Sequence, residues 1–337
     1  MKEIYTLIVF VIVCLFLVYF MTQKRERYSF SPPRIVVNSK RFEDKIVFIT
    51  GGSSGMGMWT AIKFALEGAK RVVICSRYKD RFENTAVPVF ERVIGTKWNE
   101  IIEWKRCDVR LEKDVKEIIN YIKNKYGGID VAVNNAGVVN GDVIEDTTLP
   151  TFEGEKDEIL ISLPGAVGGE KCADPSLTNS LDKVCENPIF TDAIGVYLCL
   201  KNEVPAMNSG GAIVNTSSLN AKWGSPGAAW YGASKAFIEN LTKGVAGEVA
   251  PRNIRVNCVL PGAIDTPLLD SQYGKNGREK ANKLFGSIFV PLGRIGEPWE
   301  VASTIAFLAS DEASYITGTG IMIDGGLSAT PILNCPS

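Results

Sequence analysis

The 337-residue chain contains no histidine. Histidine is the side chain whose ordinary pKa lies nearest neutrality, and it is also the commonest metal ligand. Its absence excludes the usual general acid or base and every metal site built on imidazole. Any proton transfer near pH 7 must therefore use another side chain, one whose ionisation the fold adjusts.

The sequence also lacks a charge excess and a paired-cysteine motif. Its 37 basic and 38 acidic residues give a net charge of −1, which disfavours nucleic acid as a partner. The eight cysteines form no C-x-x-C pair, so we predict buried free thiols and no metal site. Cys172 and Cys185 flank one loop-like segment and could pair, although a reducing compartment would keep both as thiols.

A long apolar run is present near the N-terminus. Residues 4–21, IYTLIVFVIVCLFLVYFM, carry no charge, and as a helix they would span about 27 Å, close to the hydrocarbon thickness of a bilayer. A cleaved signal peptide is the alternative, but bulky residues continue to the basic cluster Lys24, Arg25 and Arg27. We predict a retained single-pass anchor. The basic cluster places the rest of the chain on the cytoplasmic side, with the endoplasmic reticulum a plausible membrane.

Beyond the anchor (1–22) and a connector (23–44), short β-branched runs alternate with helix-like segments. This alternation predicts an α/β fold with a doubly wound parallel sheet, a Rossmann fold, in one domain over residues 45–330. The rhythm fails over about 138–188, which we interpret as an insertion. The predicted strands are 45–50, 71–76, 101–109, 129–137, 212–218, 254–262 and 320–326.

The first predicted strand ends at a glycine-rich turn, residues 50–57, TGGSSGMG. Glycines at a strand-to-helix turn let the backbone approach a pyrophosphate, which the N–H groups of the helix N-terminus then bind. A purely structural turn would show the same glycines. The second predicted strand ends at Ser76 and Arg77 with no carboxylate, which favours NADP(H) over NAD(H). Arg77 could equally be a solvated residue at a helix start.

The hexapeptide WYGASK places Tyr231 and Lys235 four residues apart, on one face of a predicted helix. A free phenol is ionised to about one part in a thousand at pH 7. An ammonium ~4 Å away contributes about 4 kcal/mol towards the phenolate at an effective dielectric near 20, before desolvation opposes it. A surface pair on a helix is the alternative. Ser218, at the end of a predicted strand, favours a site because ligands bind at that edge of an α/β sheet.

Taken together, these motifs resemble the short-chain dehydrogenase/reductase family, in its compact single-domain branch. They occur in the order typical of that family over about residues 45–327. The matching residues are Thr50-Gly51-x-x-x-Gly55-x-Gly57, CDV at 107–109, NNAG at 134–137, Ser218, Tyr231-x-x-x-Lys235 and PGAIDT at 261–266.

The resemblance implies a role for each matching position. Tyr231 would be the general acid or base, Ser218 would orient the substrate carbonyl, and Lys235 would hold the nicotinamide ribose and favour the phenolate. NNAG could instead mainly secure the sheet. The implied cofactor contacts are Gly51, Ser53, Ser54, Gly55, Met56, Gly57, Arg77, Asp108, Val109, Asn135, Tyr231, Lys235 and Thr266.

Two features depart from the family pattern. TDAIGVY places Asp192 where many members have an asparagine that holds a water in the proton relay, so we include Asp192 among the candidate catalytic residues. The insertion is the second departure, because it adds some thirty residues near the expected substrate cleft.

These features predict an NADP(H)-dependent oxidoreductase that interconverts an alcohol and a carbonyl by hydride transfer. The anchor would keep the site beside a bilayer, so a small apolar substrate such as a steroid, a retinoid or another lipid is expected. The resemblance also implies a homo-oligomer. The alternative is a catalytically impaired nucleotide-binding sensor or scaffold of the same fold.

Overall fold

A computed structural model describes residues 40–139, 151–152, 161–162, 187–274, 276–286 and 289–329. The predicted anchor and connector residues up to 39, most of the insertion, and the cysteines at 14, 172, 185 and 335 lie outside these ranges. All the elements given below belong to one compact unit, Val37–Ser337.

The β-strands are β1 Ile46–Thr50, β2 Arg71–Ser76, β3 Ile102–Arg106, β4 Ile129–Asn134, β5 Thr151–Phe152, β6 Ile161–Ser162, β7 Met207–Thr216, β8 Arg255–Pro261 and β9 Gly320–Ile323. Seven of these strands form one parallel sheet in the order β3-β2-β1-β4-β7-β8-β9. This order confirms the predicted doubly wound α/β fold. The other two, β5 and β6, form a short antiparallel pair within the insertion.

Helices follow the strands along the chain. The α-helices are α1 Gly55–Leu66, α2 Lys79–Arg81, α3 Val87–Val93, α4 Trp98–Ile101, α5 Glu112–Tyr126, α6 Gly195–Glu203, α7 Ala229–Val249, α8 Pro267–Tyr273, α9 Gly277–Ala281 and α10 Pro298–Ala309. The described residues also form three π-helical turns: Phe82–Ala86 between α2 and α3, Ile189–Ile194 before α6, and Asn282–Gly286 after α9.

The central strands are apolar on both faces because helices cover both faces of the sheet. On β1, Val47 and Ile49 pack into one apolar core with α1 and α10. Ile46 and Phe48 alternate with them and pack into a second core on the opposite face, with α5 and α7. The alternation follows from the two-residue period of a strand. The described thiols, Cys75, Cys107, Cys199 and Cys258, are buried and free, as predicted for them.

The sheet reverses its winding between β1 and β4. Strands β2 and β3 lie to one side of β1, whereas β7, β8 and β9 lie beyond β4. Ligands of open α/β sheets bind outside the carboxyl ends of the strands at such a point. The residues that follow β1, β4 and β7 are therefore in a position to form a ligand-binding site.

No helix among the described residues is long and apolar enough to cross a membrane. The predicted anchor at residues 4–21 lies outside the described residues.

Candidate active site

The glycine turn between β1 and α1 forms one wall of the site. Gly51 has φ +68°, and a Cβ there would lie 2.9 Å from the Ala136 Cα. A Cβ on Gly57 would lie 2.4 Å from the Gly51 carbonyl oxygen. The turn therefore closes in this form only with glycine at both positions. It also brings the chain after β1 against the chain after β4.

The start of α1 fits a phosphate group. Ser54 is the N-cap residue, and its side chain accepts no capping bond from the helix. The first-turn N–H groups are thus not occupied by a cap, and such groups bind anions. Ser53 is buried, and the Met56 side chain packs against the core, so both would meet a cofactor through their backbone.

The segment after β4 braces this turn. Thr50 Oγ1 accepts hydrogen bonds from the backbone N–H groups of Asn135 and Ala136, both at 3.0 Å. The Asn135 amide donates to the carbonyl oxygens of Thr50 and Gly51, at 3.2 and 3.3 Å. Asn135 lies at the predicted cleft, where its amide holds the glycine turn in shape.

Thr266 lies at the same turn, although it is far away in sequence. It is the N-cap residue of α8, and a Cβ on Gly55 would lie 3.3 Å from the Thr266 Cγ2. The predicted contact of Thr266 with the cofactor cleft is consistent with this placement.

Polar groups follow β2 and β3 at the adjoining edge. Ser76 Oγ accepts a hydrogen bond of 2.8 Å from the Trp104 indole N–H. The Arg77 guanidinium lies over the Tyr78 ring, 5.2 Å from its centroid. Trp104 is a contact that sequence reasoning missed, because the indole reaches Ser76 across neighbouring strands.

Asp108, one of the predicted cofactor contacts, is held by Arg110. Arg110 Nε lies 2.9 Å from Asp108 Oδ1, and its Nη2 lies 2.5 Å from Oδ2. Burial acts to raise the pKa of Asp108, but the Arg110 hydrogen bonds and charge, with the charge of Arg77, bring it below its usual range. The side chain of the neighbouring Val109 packs into the core. Arg110 follows CDV directly, and nothing in that spacing indicated its role.

Ser218 lies at the carboxyl end of β7, as predicted. It caps a 3₁₀ turn, Leu219–Ala221, and its Oγ accepts from the Asn220 N–H at 3.2 Å. A Cβ on Gly232 would lie 3.0 Å from the Asn220 carbonyl oxygen. The turn that carries Ser218 therefore packs against the residue that follows Tyr231.

Tyr231 and Lys235 lie on α7 as the four-residue spacing predicts. Lys235 Nζ is 5.5 Å from the centroid of the Tyr231 ring. Lys235 is 4% exposed, and its ammonium donates to the Thr216 carbonyl oxygen at 3.2 Å. The Ser217 hydroxyl donates to the Lys235 carbonyl oxygen at 2.7 Å. The lysine is thus fixed against the end of β7, beside Ser218.

Asp192, on the π-helical turn before α6, completes the cluster. Its Oδ2 lies 3.2 Å from Lys235 Nζ, as an ion pair without hydrogen-bond alignment, and its Oδ1 accepts from the Val138 N–H at 2.8 Å. Burial raises the pKa of Asp192, and the Lys235 charge opposes that rise. Burial acts to lower the pKa of Lys235, but the charges of Asp192 and Tyr231 outweigh it, so the net shift is upward.

Gly137 lies beside the Asp192–Lys235 ion pair, at the end of the NNAG segment that braces the glycine turn. A Cβ there would lie 3.2 Å from both the Asp192 Oδ1 and the Lys235 Nζ. NNAG thus secures the glycine turn on one side and faces the ion pair on the other. Among the described residues, no cluster of three metal-ligating side chains occurs.

Comparisons with known proteins agree with this geometry. A family model described as enoyl-(acyl carrier protein) reductase matches residues 51–180 and 166–328. The chain is 36% identical to a 3-oxoacyl-[acyl-carrier-protein] reductase of Thermotoga maritima, over 85% of this chain and 99% of that protein. It is 33% identical to a 7alpha-hydroxysteroid dehydrogenase of Bacteroides fragilis, over 87% and 98%.

A solved structure of similar fold, "ElxO with NADP Bound", is 31% identical. The match covers 85% of this chain and all of that one, with a TM-score of 0.66. The site residues, the sheet order and these similarities lead to one assignment: the chain belongs to the short-chain dehydrogenase/reductase family, as an oxidoreductase that acts on CH–OH groups with NAD(P).

Proposed function

We propose that the protein is an NADP(H)-dependent, membrane-anchored oxidoreductase that interconverts an alcohol and a carbonyl on a small apolar substrate. The observation that carries the proposal is the cluster of Ser218, Tyr231 and Lys235 at the carboxyl edge of the sheet, with Lys235 Nζ 5.5 Å from the Tyr231 ring centroid. A phenol beside a buried ammonium can transfer protons in a chain that has no histidine.

The glycine turn and α1 would hold the pyrophosphate, with Thr266 alongside and Asp108 at the adenine end. When bound, the nicotinamide supplies or accepts the hydride. Tyr231 would give its phenolic proton to the carbonyl oxygen in reduction and take it from the alcohol in oxidation. Ser218 would donate a hydrogen bond to the same oxygen, and Lys235 would favour the phenolate form of Tyr231.

NADP(H) is the proposed cofactor because Arg77 follows β2, and no carboxylate stands at that point to bind a free ribose. The positive charge of Arg77 acts on Asp108, which supports the proposal that both residues lie near the adenine end of the cofactor. The NADP bound in the related structure named above supports this choice. A catalytic efficiency clearly higher with NAD(H) would contradict it.

An apolar substrate is proposed on two grounds. The uncharged run at residues 4–21 would keep the site beside a bilayer. Two relatives carry steroid names, the 7alpha-hydroxysteroid dehydrogenase above and a 3beta-hydroxysteroid dehydrogenase of Mediterraneibacter gnavus, 34% identical over 86% of this chain. Self-association remains a further proposal from the family resemblance.

Replacement of Tyr231 tests the mechanism. Tyr231→Phe should lower kcat by about a hundredfold or more, because a positioned proton donor contributes that factor. The measurement is NADPH oxidation and NADP⁺ reduction by the full-length protein in detergent, over hydroxysteroids, retinoids, fatty alcohols and their carbonyl forms.

Cofactor binding, measured by fluorescence titration, should be largely unchanged in this variant. Tyr315→Phe is the matched control, since Tyr315 is fully exposed, and it should keep full activity. Turnover retained by Tyr231→Phe would overturn the mechanism. Cofactor binding by the wild type without turnover of any substrate in the panel would favour the sensor or scaffold.

A further inference from the structure

The Lys235 ammonium has three neighbouring groups: a carboxylate, a backbone carbonyl oxygen and a phenol ring. Asp192 Oδ2 lies 3.2 Å from Nζ, the Thr216 carbonyl oxygen lies 3.2 Å away, and the Tyr231 ring centroid lies 5.5 Å away. Asp192 and Tyr231 are the titratable groups that act on Lys235 within the described part of the chain. The ammonium is therefore close to both a carboxylate and a phenol.

Asp192 has little other than Lys235 to compensate its charge. The residue is fully buried, and its other oxygen accepts a single bond, from the Val138 N–H. An asparagine oxygen could accept that same bond without bringing a charge. Since a buried charge is costly unless it is paired, the carboxylate and the ammonium hold each other in place.

The local backbone leaves space for this pair. Asp192 lies within the π-helical turn Ile189–Ile194, and π turns inside helices often mark functional positions. On the opposite side, Gly137 has no side chain to crowd either the Asp192 Oδ1 or the Lys235 Nζ. The ion pair is thus enclosed by two separate segments of chain.

A carboxylate next to an ammonium weakens the field that the ammonium exerts on a third group, because the two charges form a dipole and no longer a net positive charge. We infer that Asp192 is a positioning residue whose carboxylate fixes Lys235 and opposes ionisation of Tyr231, so that proton transfer works at a higher pH than it would with a neutral residue at 192. This inference rests on the proposed function of Tyr231.

Asp192→Asn tests the inference, because it removes the charge and preserves the size. Ionisation of Tyr231 should become easier, and the pH midpoint of kcat/KM should move down by about 1.5 units in both reaction directions, as expected from a unit charge ~8 Å away at an effective dielectric near 20. Asp192→Ser supplies a second neutral variant if the amide is poorly tolerated. Glu248→Gln, the same charge change at an exposed position of α7, should leave the midpoint unchanged.

A second readout needs no substrate. Ultraviolet difference titration measures tyrosinate formation, and subtraction of the Tyr231→Phe curve, recorded in the matching background, isolates Tyr231. A lower midpoint in both Asp192 variants supports the inference even if no substrate turns over, in which case the proposed function fails alone. An unchanged or raised midpoint in the correctly folded variants overturns the inference, even if the enzyme is active.

Discussion

At the level of single residues, the contacts that depend on short sequence spacing could be predicted, whereas contacts between distant residues could not. The glycine turn and the Tyr231–Lys235 pair were predictable because each depends on short spacing along the chain. The contact between Asp192 and Val138 was not, since these residues are 54 positions apart and the insertion lies between them. The contacts of Asn135 could not be predicted for the same reason, because its partners are far away in the sequence. Its motif marked the site, but only the fold shows that its amide bonds the carbonyls of Thr50 and Gly51.

Gly57→Ala should damage the cofactor site. The added Cβ would lie 2.4 Å from the Gly51 carbonyl oxygen, so the turn must shift. We expect a loss of about 1–3 kcal/mol in the free energy of unfolding and weaker NADP(H) binding, measured by chemical denaturation and fluorescence titration. Gly244→Ala on α7 is the control. Its Cβ meets nothing within 4 Å, so it should stabilise the protein by about 0.5–1 kcal/mol and leave cofactor binding unchanged.

Among the secondary-structure elements, strands were predicted well where the hydrophobic pattern of the sequence agrees with the burial of the residues. The predicted strand 71–76 matches β2 in full, and the predicted strand 45–50 matches β1 to within one residue. The predicted strand 101–109 was too long, because residue 101 ends α4 and the chain leaves the sheet after Arg106. β7 begins at Met207, earlier than predicted, because the exposed residues 208–210 carry no strand pattern. The π-helical turns have no sequence period that would reveal them.

A chain of buried polar groups joins four elements, α6, β4, β7 and α7. Glu203 at the end of α6 accepts a 2.9 Å hydrogen bond from the Asn134 amide on β4. Asn134 also donates to the Asn215 oxygen on β7 at 3.0 Å, and the Asn215 amide donates to the Thr242 hydroxyl on α7 at 2.9 Å. Burial raises the pKa of Glu203 from its ordinary 4.5 to about 7, although the Asn134 bond opposes the rise.

Glu203→Gln should therefore stabilise the protein in a pH-dependent way. The folded chain holds the Glu203 proton more tightly than the unfolded chain, so the linked stability is complete below about pH 4.5 and is lost as the pH rises through 7. The neutral variant avoids that loss, and its advantage should grow to about 3 kcal/mol above pH 7. Urea denaturation at several pH values measures it. Glu117→Gln, exposed on α5, is the control, and a pH-independent difference for Glu203→Gln would contradict the prediction.

At the scale of the whole molecule, alternation of strands and helices predicted one parallel sheet, and the sheet order confirms it. The order of strands was predictable only as a class, because crossover rules limit the topologies without choosing one. The structure of the insertion could not be predicted in this way. Its mixture of prolines, glycines and charges gave no period from which the β5–β6 pair could be predicted.

The anchor belongs to this scale as well. We predict that residues 4–21 hold the full-length protein in a membrane, with the dehydrogenase domain facing the cytoplasm. The protein should sediment with membranes, resist extraction by high salt and be released by detergent. Protease added to sealed microsomes should digest the domain. Recovery in the supernatant would contradict the anchor, and full protection would contradict the orientation.

The pairing of β1 with β4 has a consequence for synthesis of the chain. The Ile46 N–H on β1 bonds the carboxylate of Asp130 on β4, 84 positions later, and the glycine turn needs the segment just beyond β4 as its support. Contacts between such distant positions form slowly, because a long loop must close before they bring any gain. During synthesis, the side of β1 that pairs with β4 therefore stays unpaired until β4 has emerged from the ribosome. In that interval its open backbone groups are accessible to chaperones or to misfolding. The glycine turn and the segment after β4, which together form the proposed cofactor site, are therefore expected to fold late during synthesis.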